Sequence, residues 1–235
     1  LLNDGEKIKI ITVFTDFGKG PMHWNARRYV FGSGALSIHK FQKIRFNEDR
    51  QAMKKLGVED YRYLGFTDAY FRPRLTGAKF RKFQGLASWF GLKSCFLYPD
   101  SAALFSSRID QEDDKLLPVI SEKLKQLLLS DDTIYGPLGV GNHIDHVIVN
   151  RAIRRFKTHT KLFWLDLPYA FKSEFAGNLN MAKSGYRLKI LSGKTPLKLE
   201  ALKLYASQSS CVETLAVKPR EEFYEILVDS IDVKG

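Results

Sequence analysis

Cysteine is nearly absent: Cys95 and Cys211 are the two in a chain of 235 residues. Thiols so few and so far apart exclude a disulfide scaffold and a zinc ribbon, and they read as small core residues in a reducing cytoplasm. Long apolar runs are missing too. No stretch approaches the roughly 20 residues that cross a bilayer, and no signal peptide is read at Leu1, so a cytoplasmic protein without a membrane partner is expected. Acidic residues are short of basic ones, 26 against 37, which leaves a formal charge of +11 and a pI near 9.5. Basic clusters over residues 72–82 and 151–157, interleaved with Phe80, Phe83 and Phe156, would suit phosphates. No DNA- or RNA-binding signature accompanies them. Arg151, Arg154 and Arg155 are equally explained as the solvated end of a helix whose dipole favours cations, so nucleic acid is the weaker partner class.

What is present supports one substantial core, with 44% hydrophobic residues, and residues 1–235 are read as a single domain. Strand and helix patterns alternate along it. Residues 7–14 read as a strand, 35–56 as largely helical and 61–66 as a short strand. An amphipathic helix over 116–129 carries Leu117, Ile120, Leu124, Leu127 and Leu128 near one face. A strand over 133–138, a helix over 143–157 and a strand over 162–165 follow. This βαβα order predicts an α/β, Rossmann-like, mainly parallel sheet with helices on both faces. Two long segments, 15–34 and 68–114, have little regular pattern; their aromatic and basic residues would suit a polar, sugar-binding mouth.

The densest chemistry lies in Tyr135-Gly136-Pro137-Leu138-Gly139-Val140-Gly141-Asn142-His143-Ile144-Asp145-His146, a strand, a glycine-rich turn and a His-x-Asp-His helix start. Ile144, Val147, Ile148 and Ala152 mark the apolar stripe of that helix, which leaves His143 and His146, three apart, on another face. Both imidazoles can then address one point. Asp145, between them in sequence, is a candidate to orient a histidine. Such pairs also occur as capping or core residues, but the carboxyl end of an α/β strand is where sites form.

With this motif the chain resembles the LmbE-like or PIG-L-type N-acetylglucosaminyl deacetylases. The likeness extends to Lys7 through Thr15 as a second strand, Arg45-Phe46-Asn47-Glu48-Asp49, Leu64-Gly65-Phe66-Thr67-Asp68-Ala69, Asp166-Leu167-Pro168-Tyr169 and Tyr205-Ala206-Ser207-Gln208. It implies zinc-dependent removal of an N-acyl group from an amino sugar or its conjugate, a carbohydrate-derived small molecule. By resemblance His146 is a zinc ligand, and His143 stabilises the oxyanion or donates a proton. Arg45 and Asp68 match positions near the substrate. From the residues alone, Arg45 could instead pair with Glu48 or Asp49, and Asp68 could cap a turn.

The family's other signature, His-Pro-Asp-Asp or a close variant at the end of a first strand, has no counterpart here. It supplies two zinc ligands and the aspartate that acts as general base. A βα unit of about 20–30 residues is therefore expected upstream of Leu1. Loss of a central strand would expose unpaired backbone groups, which a homo-oligomer could cover by pairing across the open edge. Zinc normally takes three protein ligands, and His146 is the one that matches, so this chain is expected to hold zinc weakly or not at all. Asp16 and His23 are the nearest substitute donors, without the expected spacing. The alternative function is a non-catalytic relative that binds a ligand or partner through the remaining half-site.

Overall fold

The structure, a computed structural model, describes residues 6–20, 22–74, 93–164, 166, 186–193, 196–208 and 223–230. In chain order the elements are β1 (Lys9–Asp16), α1 (Trp24–Gly32), α2 (Ile38–Leu56), β2 (Asp60–Thr67), α3 (Leu116–Lys125), β3 (Ile134–Pro137), α4 (Ile144–Arg154), β4 (Lys161–Trp164), β5 (Tyr186–Gly193), α5 (Pro196–Lys203) and β6 (Phe223–Ser230). They fall into two compact units, residues 1–104 with 195–217, and residues 105–194 with 218–235. No helix of the described residues is long and apolar enough to cross a membrane.

In the first unit, the β-branched run Ile10-Ile11-Thr12-Val13 favours the extended backbone of β1, which pairs in parallel with β2 from Lys9↔Asp60 to Asp16↔Thr67. The connection is α2. Ser37 opens that helix by accepting a hydrogen bond from the Lys40 amide, and Gly57 closes it. Helix α5 packs along it. The segment 15–34, read as patternless, holds a helix that the sequence reading missed. Its start is capped by a histidine, a residue type that capping rules do not favour: His23 Nδ1 accepts from the Ala26 amide at 3.2 Å. Ala26 and Val30 join Ala35, Phe41 and Phe71 in the core, with Phe17 edge-on to both phenylalanines at 4.9 and 5.4 Å. Segment 68–114 contains only short turns of helix among its described residues; residues 75–92, including Phe80, Phe83, Lys79, Arg81 and Lys82, lie outside them.

In the second unit the strand order is β3-β4-β6-β5. β3 and β4 are parallel, whereas β6 runs antiparallel to both of its neighbours, a pairing the sequence reading did not contain. Helix α4 packs on β3 and on α3. Ile144, Ile148 and Ala152, at helical spacing, are fully buried, so the expected apolar stripe forms the core of this unit. Regular helix in α3 ends at Lys125, and Leu127 and Leu128 turn back onto the Leu124 carbonyl. Parallel strand pairs with crossover helices make this an α/β, Rossmann-like fold.

Candidate functional site

The parallel register of β3 and β4 determines what meets at their carboxyl ends. Ile134 lies opposite Lys161 and Pro137 opposite Trp164, a constant offset of 27 residues (161 − 134 and 164 − 137). Extending that offset past the strands puts Gly139 level with Asp166. There the Asp166 carboxylate, 1% exposed, accepts hydrogen bonds from the Gly139 and Val140 amides through Oδ2, both at 2.7 Å. The turn that presents those amides needs positive φ at Gly139 (87°) and Gly141 (83°), conformations in which a side chain is strained. A buried carboxylate must have its charge met by hydrogen bonds, and two backbone donors supply part of that requirement. The rest comes from a histidine.

Asp166 Oδ1 lies 2.7 Å from Nδ1 of His146, so an ionised Asp166 fixes the proton of the neutral imidazole on Nδ1 and leaves the lone pair on Nε2. One turn earlier, His143 is the N-cap of α4 and its Nδ1 accepts from the Asp145 amide at 3.3 Å. Its proton is therefore on Nε2. The two rings stand 5.1 Å apart, inclined at 45°, with His143 also edge-on to Phe105 at 5.2 Å. One ring thus presents a donor and its neighbour a lone pair, from complementary tautomers set by their other partners. His143 is suited to donate to a carbonyl oxygen that gains charge, and His146 to hold a metal or accept a proton.

The sequence reading gave the orienting carboxylate to Asp145. In the structure Asp166 is hydrogen-bonded to the His146 ring, while Asp145 is buried and its backbone amide serves the His143 cap. Asp166 stood out in the sequence only as part of Asp166-Leu167-Pro168-Tyr169. Its strand-pairing offset to Gly139 could not be read without the register. Asn150 braces the same place, since its amide donates to the Pro137 carbonyl at 2.8 Å and ties α4 to the end of β3.

Arg45 and Asp68 lie in the first unit with structural partners. Arg45 donates to Glu48 at 3.3 Å and to Ser207 at 3.4 Å, with its guanidinium 5.5 Å from the Tyr205 ring centre. Glu48 in turn accepts from the Ser207 amide and hydroxyl at 2.7 and 2.6 Å. Asp49 accepts from the phenols of Tyr63 and Tyr205, both at 2.6 Å. Burial first, and then the hydrogen bond to Asp49, raises both phenol pKa values. Asp68 accepts from the Tyr70 amide at 2.9 Å, so it caps a turn.

Zinc requires about three protein ligands. His146 with its carboxylate has the form of one ligand and its orienting partner. Among the described residues, no three His, Cys, Asp or Glu side chains are grouped to hold a metal. His23 offers no substitute, because Nε2 lies 2.7 Å from the Tyr70 carbonyl and Nδ1 receives the Ala26 amide. Asp16 accepts from the Thr67 hydroxyl. The described donors therefore do not make a zinc centre.

Known proteins share this chain's fold and part of its sequence. The A40926 pseudoaglycone deacetylase shares the fold at a TM-score of 0.67 and 21% identity, covering 99% of this chain and 88% of that one. A zinc-inhibited form of the teicoplanin deacetylase does so at 0.70 and 20% identity, covering 98% and 90%. In sequence, the 2'-N-acetylparomamine deacetylase of Streptomyces fradiae is 26% identical over 219 residues, 88% of this chain, and the chain spans 66% of that relative's length. The family described as PIG-L, GlcNAc-PI de-N-acetylase, matches residues 1–157, which take in β1 through α4 and both histidines; the chain belongs to the PIG-L family.

Proposed function

We propose that this protein is a hydrolase that removes an N-acyl group from an amino sugar or its conjugate. The observation that carries the reading is the pair of neighbouring imidazoles at the start of α4, one on the Asp166 carboxylate and the other on the Asp145 amide, contacts that favour complementary tautomers. Hydrolysis of an amide needs a donor where the carbonyl oxygen becomes negative, and a proton for the departing amine. His143 Nε2–H supplies the first as a hydrogen bond without giving up its proton, because Nδ1 is spent on the Asp145 amide, and the second is the proton that the attacking water loses. His146 Nε2 is the nitrogen through which this chain would contribute to a metal, and zinc is the metal the resemblance implies. Arg45 and Asp68 enter the reading as substrate-side residues by position in the family.

The sugar substrate is supported by the relatives, a 2'-N-acetylparomamine deacetylase, a teicoplanin deacetylase and the A40926 pseudoaglycone deacetylase. A panel of N-acetylglucosamine, 2'-N-acetylparomamine and a teicoplanin-type glycopeptide, incubated with the full-length protein and analysed by mass, tests it. Loss of one acyl group from a panel member is the expected result. A full-length protein that binds such a ligand yet releases no acid would return the non-catalytic alternative.

A further inference from the structure

Between Asp16 and Glu48 the sequence holds Lys19, Arg27, Arg28, Lys40, Lys43 and Arg45 and not one Asp or Glu. Helix α1 lies inside this stretch, and its spacing sorts the side chains onto two sides. At 3.6 residues per turn Trp24 and Phe31, seven apart, fall within about 20° of each other, with Arg27 and Arg28 flanking them on opposite sides. Ala26 and Val30 fall on the far side and are fully buried, whereas Trp24 is 66% and Phe31 54% exposed. Leu36, in the turn that leads into α2, is 81% exposed. Lys19, Arg28, Lys40 and Lys43 are exposed as well. Arg27 Nε donates to the Met22 carbonyl at 3.0 Å, which holds that side chain at the helix start. Asp100, which shares an open cavity with Arg28 and Tyr29, is already countered by Lys93 at 3.3 Å.

We propose that this surface docks the protein on a lipid bilayer that carries anionic headgroups. Trp24, Phe31 and Leu36 enter the boundary between headgroups and acyl chains, and the flanking arginines and exposed lysines meet lipid phosphates. Tryptophan suits that depth because its ring is apolar while its indole N–H still finds a polar partner there. Nucleic acid would use the same cations and could stack bases on the two aromatic side chains. Leu36, the most exposed large apolar side chain among the described residues, has no ring to stack, whereas an acyl layer covers it. At nine residues α1 is too short to span a membrane and lies in the plane of the surface. Long apolar runs, whose lack argues against a membrane partner, signal spanning segments; a contact of this kind needs none.

The test is co-sedimentation of the full-length protein with vesicles of phosphatidylcholine alone and of phosphatidylcholine and phosphatidylglycerol in equal parts. The parent should pellet with the anionic vesicles and stay in solution with the neutral ones. One cation near an anionic surface is worth about fivefold in partitioning, and one large apolar side chain about tenfold. Arg28→Ala should therefore weaken binding about fivefold, and Trp24→Ala and Phe31→Ala about tenfold each, with thermal melts little changed because all three side chains are exposed. Arg151→Ala, which removes an exposed charge from α4, should leave binding unchanged. A parent that does not pellet with anionic vesicles would overturn the proposal, as would equal pelleting with neutral ones. So would binding that Trp24→Ala and Phe31→Ala leave unchanged while Arg151→Ala weakens it as much as Arg28→Ala, the pattern of net charge alone. Retention of single-stranded RNA on filters by a parent that ignores the vesicles would assign the surface to nucleic acid instead.

Discussion

Replacing Asp166 by Asn keeps the shape of a buried side chain and removes its charge, so the effect can be worked out atom by atom. The wild-type carboxylate faces three donors: the amides of Gly139 and Val140 and the Nδ1–H of His146. An amide has one oxygen. If that oxygen remains on the two backbone amides, the new NH₂ faces His146 Nδ1, which must then become an acceptor and move its proton to Nε2. Bonds to a charged group contribute about 1.5–3 kcal/mol each and neutral ones about 0.5–1.5 kcal/mol, so three strong bonds become at most three weak ones. Relief from desolvating the charge offsets part of this, and the expected net loss is about 2–4 kcal/mol in urea unfolding. Nitrogen NMR of the ring should show His146 protonated on Nδ1 in the parent and on Nε2 in the variant. A stability change below about 0.5 kcal/mol together with an unchanged tautomer would refute the reasoning.

Gly136→Ala would put a Cβ 2.2 Å from Ile153 Cδ1, at a well-buried contact between β3 and α4, and should cost about 1–3 kcal/mol; Ile153→Val, which lacks that carbon, should restore part of it in the double variant. His23 has a pKa below its ordinary 6.5, chiefly because it is buried. The unfolded chain then binds its proton first, so the stability from His23 is full above pH 6.5 and declines as pH falls below it; His23→Asn should flatten that decline in pH-dependent melts. Tyr63→Phe and Tyr205→Phe should each lose about 1 kcal/mol, and because both phenols share Asp49, their double variant should depart from additivity by at least about 0.5 kcal/mol.

The elements whose signals are local were legible in the sequence. Helix α2 runs from a Ser cap to a Gly stop, and α4 shows its buried Ile144, Ile148 and Ala152 as a stripe; both lie where expected within a few residues. Helix α1 escaped because its cap is a histidine ring, and a His cap becomes recognisable only when Tyr70 secures the other nitrogen. The antiparallel β5 and β6 escaped because their pairing spans distant segments. At the site, the proximity of His143 and His146 followed from spacing. The carboxylate on His146 did not, since Asp166 is 20 residues away and is brought there by the register of β3 against β4.

The most direct measurement is acid release from an N-acetylated amino-sugar substrate by the full-length protein, compared with His143→Ala and His146→Ala. The parent should release acid, His146→Ala should release none above background, and His143→Ala should turn over about 10²–10³-fold more slowly with substrate binding retained, as for loss of one donor to a developing oxyanion. Equal rates for the parent and His146→Ala would contradict it.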